Sequence, residues 1–374
     1  MFERSIQDIL AARLQPLPAL VMAGSLRKDI DELVALHHPA GSLAVIDDVD
    51  TGTAYGDLVF RALKGRYEAT HITLRRGVRA DEEALAEIET KSKRADLLVA
   101  VGSGTINDLV KFAAHRATKP YIIFPTAASM NGYVSANASI LMGGHKQSHE
   151  ASLPLAVLVD AQMLVAAPAR LSQAGLGDSL ARPTAQADWL LSHHLTGEAY
   201  DDAPYQLTQP YEAQVFGQAE GVRRGDAEAI EALFTLLLLS GFGMTIAGSS
   251  RPASGAEHMI AHMLSDGSRL HGEEIAVTAV EMAARQAKCM TQKNIFILPA
   301  EDGSRREQPT IAAWEKAKEA MQAIHIPPQE LELIRKKAGL PESYEALGWS
   351  AEEVAGALAG ARFTRDRFTC LDVE

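Results

Sequence analysis

Along the first 160 or so residues, short aliphatic runs alternate with stretches whose apolar positions recur at helical spacing. Leu43-Ala-Val-Ile-Asp47 predicts a strand and Tyr55 to Lys64 a helix. His71-Ile-Thr-Leu74 is a second strand, Asp81 to Arg94 a helix, and Asp96 to Gly102 a third strand. Thr105 to His115 is helical, and Tyr121 to Pro125 and Leu155 to Asp160 are further strands. Aliphatic strands separated by amphipathic helices predict a parallel sheet covered on both faces. From Pro168 onward the strand signals vanish. Helical periods follow at Ala181 to Ser192, Asp226 to Ser240, Ala256 to Ser265, Glu273 to Thr291 and Pro309 to Ile324. The polar, breaker-rich segment from Leu298 to Pro309 predicts a loop between helices. With 374 residues the chain is long for one core. The expectation is an α/β, Rossmann-like nucleotide-binding domain over residues 1–165 and an all-α domain over 166–374.

Composition narrows the function. A net charge of −12 argues against nucleic acid or an anionic membrane as partner, since both call for a broad basic surface. The run from Leu233 to Gly248 is apolar but broken by Thr235, Ser240 and glycines, so it predicts a buried helix rather than a membrane insertion. Glu3, Arg4 and Asp8 leave no apolar signal-peptide core. Cys289 and Cys370 have no C-x-x-C spacing, which points to neither a disulfide framework nor a thiolate zinc site. A reducing, cytoplasmic setting is expected.

The chemistry concentrates in a few segments. His258 and His262 stand four apart and share one helix face, and His271 opens the next helical run. Neutral imidazoles from neighbouring helices suit a catalytic divalent metal. Asp178 follows a glycine pair, where an aspartate is either an N-cap or the anionic third ligand. Val99-Ala-Val-Gly102-Ser103-Gly104-Thr105-Ile-Asn-Asp108 runs from strand to helix through two glycines, as a tight turn or a pyrophosphate cradle. Asp48, in a cluster of carboxylates at a strand end, either closes a solvated turn or accepts hydrogen bonds from an adenosine ribose, which favours NAD over NADP. Thr126 and Ser129 lie in a small-residue loop that ends at Asn131-Gly132-Tyr133.

These segments together resemble the metal-dependent polyol dehydrogenases. They are Gly102 to Lys111, Pro125-Thr-Ala-Ala-Ser129, Gly177-Asp178, Gly248-Ser-Ser-Arg-Pro-Ala-Ser-Gly-Ala-Glu-His258 and His271-Gly-Glu-Glu. That superfamily includes glycerol dehydrogenase, iron-containing alcohol dehydrogenases and dehydroquinate synthase. Within it the sequence is most similar to the sn-glycerol-1-phosphate dehydrogenases, from about Leu43 to the Arg367-Phe-Thr-Cys-Leu-Asp372 segment. The resemblance implies a dehydroquinate synthase-like fold. It also implies a divalent metal (zinc, nickel or iron) on Asp178, His258 and His271. NAD or NADP would lie on Gly102, Ser103, Gly104, Thr105, Asp108, Thr126 and Ser129, with His262 near the nicotinamide or behind the ligands. Asn131 stands where related enzymes carry an aspartate of the substrate pocket; it loses the charge and gains a donor.

The expected reaction is interconversion of dihydroxyacetone phosphate and sn-glycerol 1-phosphate, with Asn131 and His262 at the reacting centre. Lys146, Arg182 and Arg251 are the candidate phosphate cations, and a homodimer is the expected assembly. Two other dehydrogenase-type outcomes remain open, a glycerol or small-diol dehydrogenase and a degenerate non-catalytic member. A dehydroquinate synthase-like lyase is disfavoured by an aspartate at position 178, where that branch uses glutamate.

Overall fold

The computed structural model of the chain describes residues 3–143 and 145–374, the side chains of His145 and Lys146 excepted. Packing divides the chain into two units, Met1–Ser172 with Arg224–Ile246, and Gln173–Arg223 with Ala247–Glu374. The chain thus passes between units three times, where the sequence predicted one boundary near residue 165.

The first unit is built on strands β1 (Ala19–Ala23), β2 (Ser42–Asp48), β3 (Glu68–Leu74), β4 (Leu97–Gly102) and β5 (Tyr121–Pro125). Next come β6 (Asn137–Met142), β7 (His145–Glu150) and β8 (Ala156–Asp160). Six of these form one sheet in the order β1-β8-β5-β4-β2-β3, with every pairing parallel. Strands β4, β5 and β8 are buried at every position, as continuous aliphatic runs in a doubly covered sheet should be. Edge strand β3 is only partly buried. Two elements escaped the sequence reading. β1 is short and half-exposed directly after Pro16 and Pro18, and β6–β7 is an antiparallel hairpin whose second strand, His-Lys-Gln-Ser-His-Glu, is polar throughout.

The helix Ala227–Ala247 belongs to this unit and not to the helical remainder. It is long and apolar enough to cross a membrane, yet most of its apolar window is buried within the protein. The reason for its placement is close packing on the Asn131 loop. A Cβ on Gly241 would stand 2.3 Å from the Asn131 carbonyl oxygen, and the Phe234 ring packs tilted against Tyr133 with centroids 5.6 Å apart. Beneath that loop the fully buried Lys111 donates to the carbonyls of Gly132, Ser135 and Asn137, which satisfies its ammonium without a carboxylate. Burial pushes its pKa down to about 8.

In the second unit the fully buried Asp188, on the helix Ala181–Thr196, acts as a bolt. It accepts from Ala256 N–H (2.8 Å), Gln286 Nε2 (2.9 Å) and Cys370 N–H (3.0 Å). Three distant segments are joined at one carboxylate, surrounded by a core of Leu191, Met259, Ile260, Met282 and Trp314. A second close approach joins the helices Ala169–Ser179 and His271–Met290. A Cβ on Gly177 would lie 2.1 Å from the Gly272 carbonyl oxygen, and one on Gly272 would lie 1.7 Å from that of Ala174. Only glycine fits at either place.

Candidate functional site

Asp178 sits in the last turn of the helix Ala169–Ser179, so it is not the N-cap that its position after two glycines allowed. His258 lies in the first turn of the helix Ala256–Leu264, and His271 is the first residue of the helix His271–Met290. The Gly177–Gly272 contact brings these helices together beside the three side chains. His258 Nε2 is 3.5 Å from Asp178 Oδ1 and His271 Nε2 is 3.9 Å from the same oxygen. One ligand atom from each of the three lies within 4.8 Å of the others. Ligands held about 2.1 Å from a tetrahedral ion stand roughly 3.4 Å apart, so the set needs only slight closure to fit one. Asp178 and His258 are buried and His271 is half-exposed, which leaves an open side.

The orientation of His258 is fixed from behind. Its Nδ1 donates to Glu257 Oε1 at 2.9 Å, so Nε2 is left free to face Asp178. The fully buried Glu257 also accepts from Gly255 N–H and from Thr184 Oγ1 at 3.0 Å. Burial alone would raise its pKa, but the hydrogen bond and charge of His258 hold it below the usual range. A metal-binding imidazole backed by a carboxylate is the arrangement that fixes its tautomer. The sequence reading missed Glu257, although its place immediately before a ligand histidine was the available signal.

His262 stays outside the ligand set. Its ring centroid is 6.0 Å from that of His258 and 5.5 Å from that of His271. Its Nδ1 is 2.9 Å from Arg365 Nη2, and because a guanidinium can only donate, Nδ1 is the acceptor. A neutral His262 therefore carries its proton on Nε2.

Two of the three cations chosen for a phosphate are otherwise engaged. Arg182 is buried, its Nε 2.7 Å from Glu212 and its guanidinium stacked 5.5 Å from the Tyr205 ring. Arg251, also buried, pairs with both oxygens of Glu198 and donates to the Phe368 carbonyl at 3.0 Å. Each is paired with a carboxylate inside the fold, although Arg182 Nη1 is left buried without a hydrogen-bond partner. The side chain of Lys146 lies outside the described residues.

In the first unit, β4 ends at Gly102 and the helix Gly104–Arg116 begins two residues later. Ser103 occupies the N-cap position without making a side-chain cap, so the first-turn N–H groups of Gly104 and Thr105 are left for a ligand. A Cβ on Gly102 would meet Ile106 at 2.5 Å, so the turn closes only with glycine. Thr126 follows β5 beside this turn, its N–H on the Gly102 carbonyl at 3.1 Å, with the half-buried Ser129 further along the same loop. Asp108 has a structural task, since its Oδ2 accepts from Ser139 N–H at 3.1 Å and ties the helix to β6. Asp48 Oδ1 caps a short turn by accepting from Asp50 and Thr51 N–H, which leaves Oδ2 for any ribose. Asn131 Nδ2 is 3.4 Å from Ser240 Oγ.

Comparison with known proteins bears on both units. The protein-family model for iron-containing alcohol dehydrogenase matches residues 21–168. The glycerol-1-phosphate dehydrogenase [NAD(P)+] of Bacillus licheniformis is 32% identical over 372 residues, 96% of this chain and 85% of that protein. That of Thermococcus kodakarensis is 36% identical over 274 residues, 72% of this chain and 78% of its own length. The chain belongs to the glycerol-1-phosphate dehydrogenase family. Solved structures of lower identity share the fold of this glycerol-1-phosphate dehydrogenase family member. Glycerol dehydrogenase from Schizosaccharomyces pombe is 19% identical, with a TM-score of 0.60 over 88% of this chain and 95% of that one. Maleylacetate reductase from Rhizobium is 18% identical, with a TM-score of 0.63 over 94% and 93%.

Proposed function

We propose that the protein interconverts dihydroxyacetone phosphate and sn-glycerol 1-phosphate with a nicotinamide cofactor, at a divalent metal held by Asp178, His258 and His271. The observation that carries this reading is the convergence of those three ligand atoms, with Glu257 behind His258, in a chain of this family. Two imidazoles and one carboxylate suit zinc, and also nickel or iron(II). Such an ion, when bound, supplies Lewis acidity to a carbonyl or hydroxyl oxygen. NAD(P)H supplies the hydride, and the residues suited to hold it are the uncapped N–H groups after Gly102 and the Thr126–Ser129 loop. The remaining acceptor of Asp48 favours NAD.

The chain's own residues do the rest. Glu257 keeps His258 in the Nδ1–H tautomer, which leaves Nε2 as a lone-pair donor toward Asp178. His271, half-exposed, leaves one side of the triad open to substrate. Arg365 holds His262 Nδ1 as an acceptor and so holds the ring's proton at Nε2, where it can donate a hydrogen bond to the substrate oxygen.

A second reading, a polyol dehydrogenase acting on unphosphorylated substrate, is favoured by the internal neutralisation of Arg182 and Arg251. Steady-state rates of NADH oxidation with dihydroxyacetone and with its phosphate separate the two. A large preference for the phosphate supports the first reading, and equal kcat/KM on both overturns it. His271→Ala is expected to lose bound metal and turnover together, with the far-UV spectrum intact.

A further inference from the structure

Five arginines, Arg251, Arg306, Arg362, Arg365 and Arg367, line one cavity of about 780 Å³ in the second unit. Three of them have carboxylate partners. Arg251 is bound to Glu198, and Arg306 and Arg362 share Asp372 at 2.9 and 3.4 Å. Among the described residues neither Arg365 nor Arg367 has a carboxylate within ion-pair distance. Their partners are neutral. Arg365 donates to Ser254 Oγ (3.2 Å) and to His262 Nδ1 (2.9 Å), while Arg367 donates to the Ser254 carbonyl and to Ser250 Oγ (3.1 Å).

We propose that Arg365 and Arg367 form the binding site for the phosphate of the substrate, one imidazole away from the metal ligands. This inference rests on the reading of the function given above.

Several independent observations converge on it. A guanidinium has five N–H donors, and each of these two uses a pair of them on protein, so most of each fork is left for a ligand. The Nε of each has no protein acceptor and is not sealed from solvent. The two positive charges lie close together, and burial together with the neighbouring Arg251 and Arg365 pushes the Arg367 pKa down to about 10. Glu257 and, for Arg367, Glu198 offset part of this charge from a distance, and a ligand anion within hydrogen-bond reach would offset more of it. None of the cavity's acidic residues makes an ion pair with either arginine: Glu198 is bound to Arg251, and Glu307 and Asp366 are exposed.

The backbone that carries the pair is fixed on both sides. Phe368 is anchored through its carbonyl to Arg251, Cys370 through its N–H to Asp188, and Arg362 through Asp372 and the Pro299 carbonyl. The partners of the pair, Ser250 and Ser254, come from the Gly-Ser-Ser-Arg-Pro-Ala-Ser-Gly run that leads into the His258 helix. That run had no structural explanation in the sequence; here it is the platform that positions the two guanidiniums. In dihydroxyacetone phosphate three bonds separate the carbonyl carbon from phosphorus. Its phosphate is thus on a short tether from a carbonyl at the metal ligands, and Arg365 is joined to that site through His262, whose ring lies 6.0 and 5.5 Å from those of His258 and His271.

The test uses full-length, metal-loaded enzyme with Arg367→Met and Arg367→Lys, and Arg365→Lys as a companion. Arg367→Met is expected to raise KM for dihydroxyacetone phosphate roughly 10- to 100-fold, as loss of a charge-assisted phosphate contact should. Its metal content and its NADH affinity are expected to stay within about twofold of the unmodified protein, while its preference for the phosphorylated ketone over dihydroxyacetone falls roughly 10- to 100-fold. Arg367→Lys, which keeps the charge, is expected to recover part of the loss, and Arg365→Lys, which also disturbs the contact with His262 Nδ1, is expected to lower kcat as well. Inorganic phosphate is the probe for the source of the anion. Inhibition competitive with dihydroxyacetone phosphate and weakened by Arg367→Met supports a substrate site. Phosphate binding that needs Arg367 but is not competitive marks a separate anion site and overturns the inference. Unmodified enzyme that prefers the phosphorylated ketone, with variants that keep the full preference, overturns the inference and leaves the reaction standing. Unmodified enzyme with no preference overturns the reaction itself.

Discussion

The carboxylate of Glu257 accepts the Nδ1–H hydrogen bond of His258 at 2.9 Å and thereby turns Nε2 of the same ring toward Asp178, 3.5 Å away. Neither the helix nor the adjacent core alone sets that orientation, because an unsupported imidazole can rotate about its two side-chain torsions. Glu257→Ala is expected to weaken metal affinity roughly 10- to 100-fold, as loss of a carboxylate behind a ligand histidine does elsewhere. Glu257→Gln, which keeps an acceptor but not the charge, should fall between. Competition against a chromophoric chelator measures this without reference to turnover. An unchanged dissociation constant for the alanine variant would show that the ring is held by other means.

Protons and metal compete for His258. Burial alone would lower its pKa, but hydrogen bonds to Asp178 and Glu257 outweigh this and raise it in the metal-free protein. Asp188 is pushed up to about 6 by burial and by the nearby Glu257. Each folded-state value lies above the unfolded one. The stability from Asp188 is therefore complete below the ordinary carboxyl value of 3.8 and lost as pH rises through about 6. That from His258 is complete below the ordinary imidazole value of 6.5 and lost as pH rises through the elevated folded value. Metal-free protein should thus lose stability from mildly acidic to mildly alkaline pH. Added metal should restore more stability at pH 8 than at pH 6, because its affinity falls about tenfold per pH unit while it must displace the His258 proton. Thermal unfolding with zinc and with EDTA at the two pH values checks this; equal metal-induced shifts would contradict it.

The turn after β4 offers a separate test in the first unit. A Cβ at Gly102 would lie 2.5 Å from Cβ of Ile106, a branched residue on the first turn of the helix that follows. Gly102→Ala should shift the start of that helix at a cost of about 1–3 kcal/mol and weaken NADH binding by roughly tenfold or more. Gly104→Ala, whose Cβ would meet only the flexible Met130 Sδ at 3.1 Å, should weaken it less. Fluorescence titration with NADH compares the two; equal affinities would remove Gly102 from the nucleotide site.

The legible parts of this protein were those with a strong local signal. Strands β4, β5 and β8 are continuous aliphatic runs, and the metal ligands are chemically unusual residues in distinctive motifs. What escaped depends on partners distant in sequence. The polar strand β7 is a strand only because β6 pairs with it, and the helix Ala227–Ala247 joins the sheet unit through Gly241 and Phe234. Arg182 and Arg251 carried the right charge for a phosphate, yet Glu212 and Glu198 neutralise them. Arg365 drew no attention because its contact with His262 spans 103 positions.

The contact between Gly177 and Gly272 sets main chain against main chain immediately beside Asp178 and His271. A spacing fixed in this way is insulated from the side chains around it. Neighbouring core positions can exchange one aliphatic residue for another while the gap between carboxylate and imidazole stays constant. The two glycines serve as a gauge block for the metal centre, and sequence drift elsewhere in the helical unit leaves its calibration untouched.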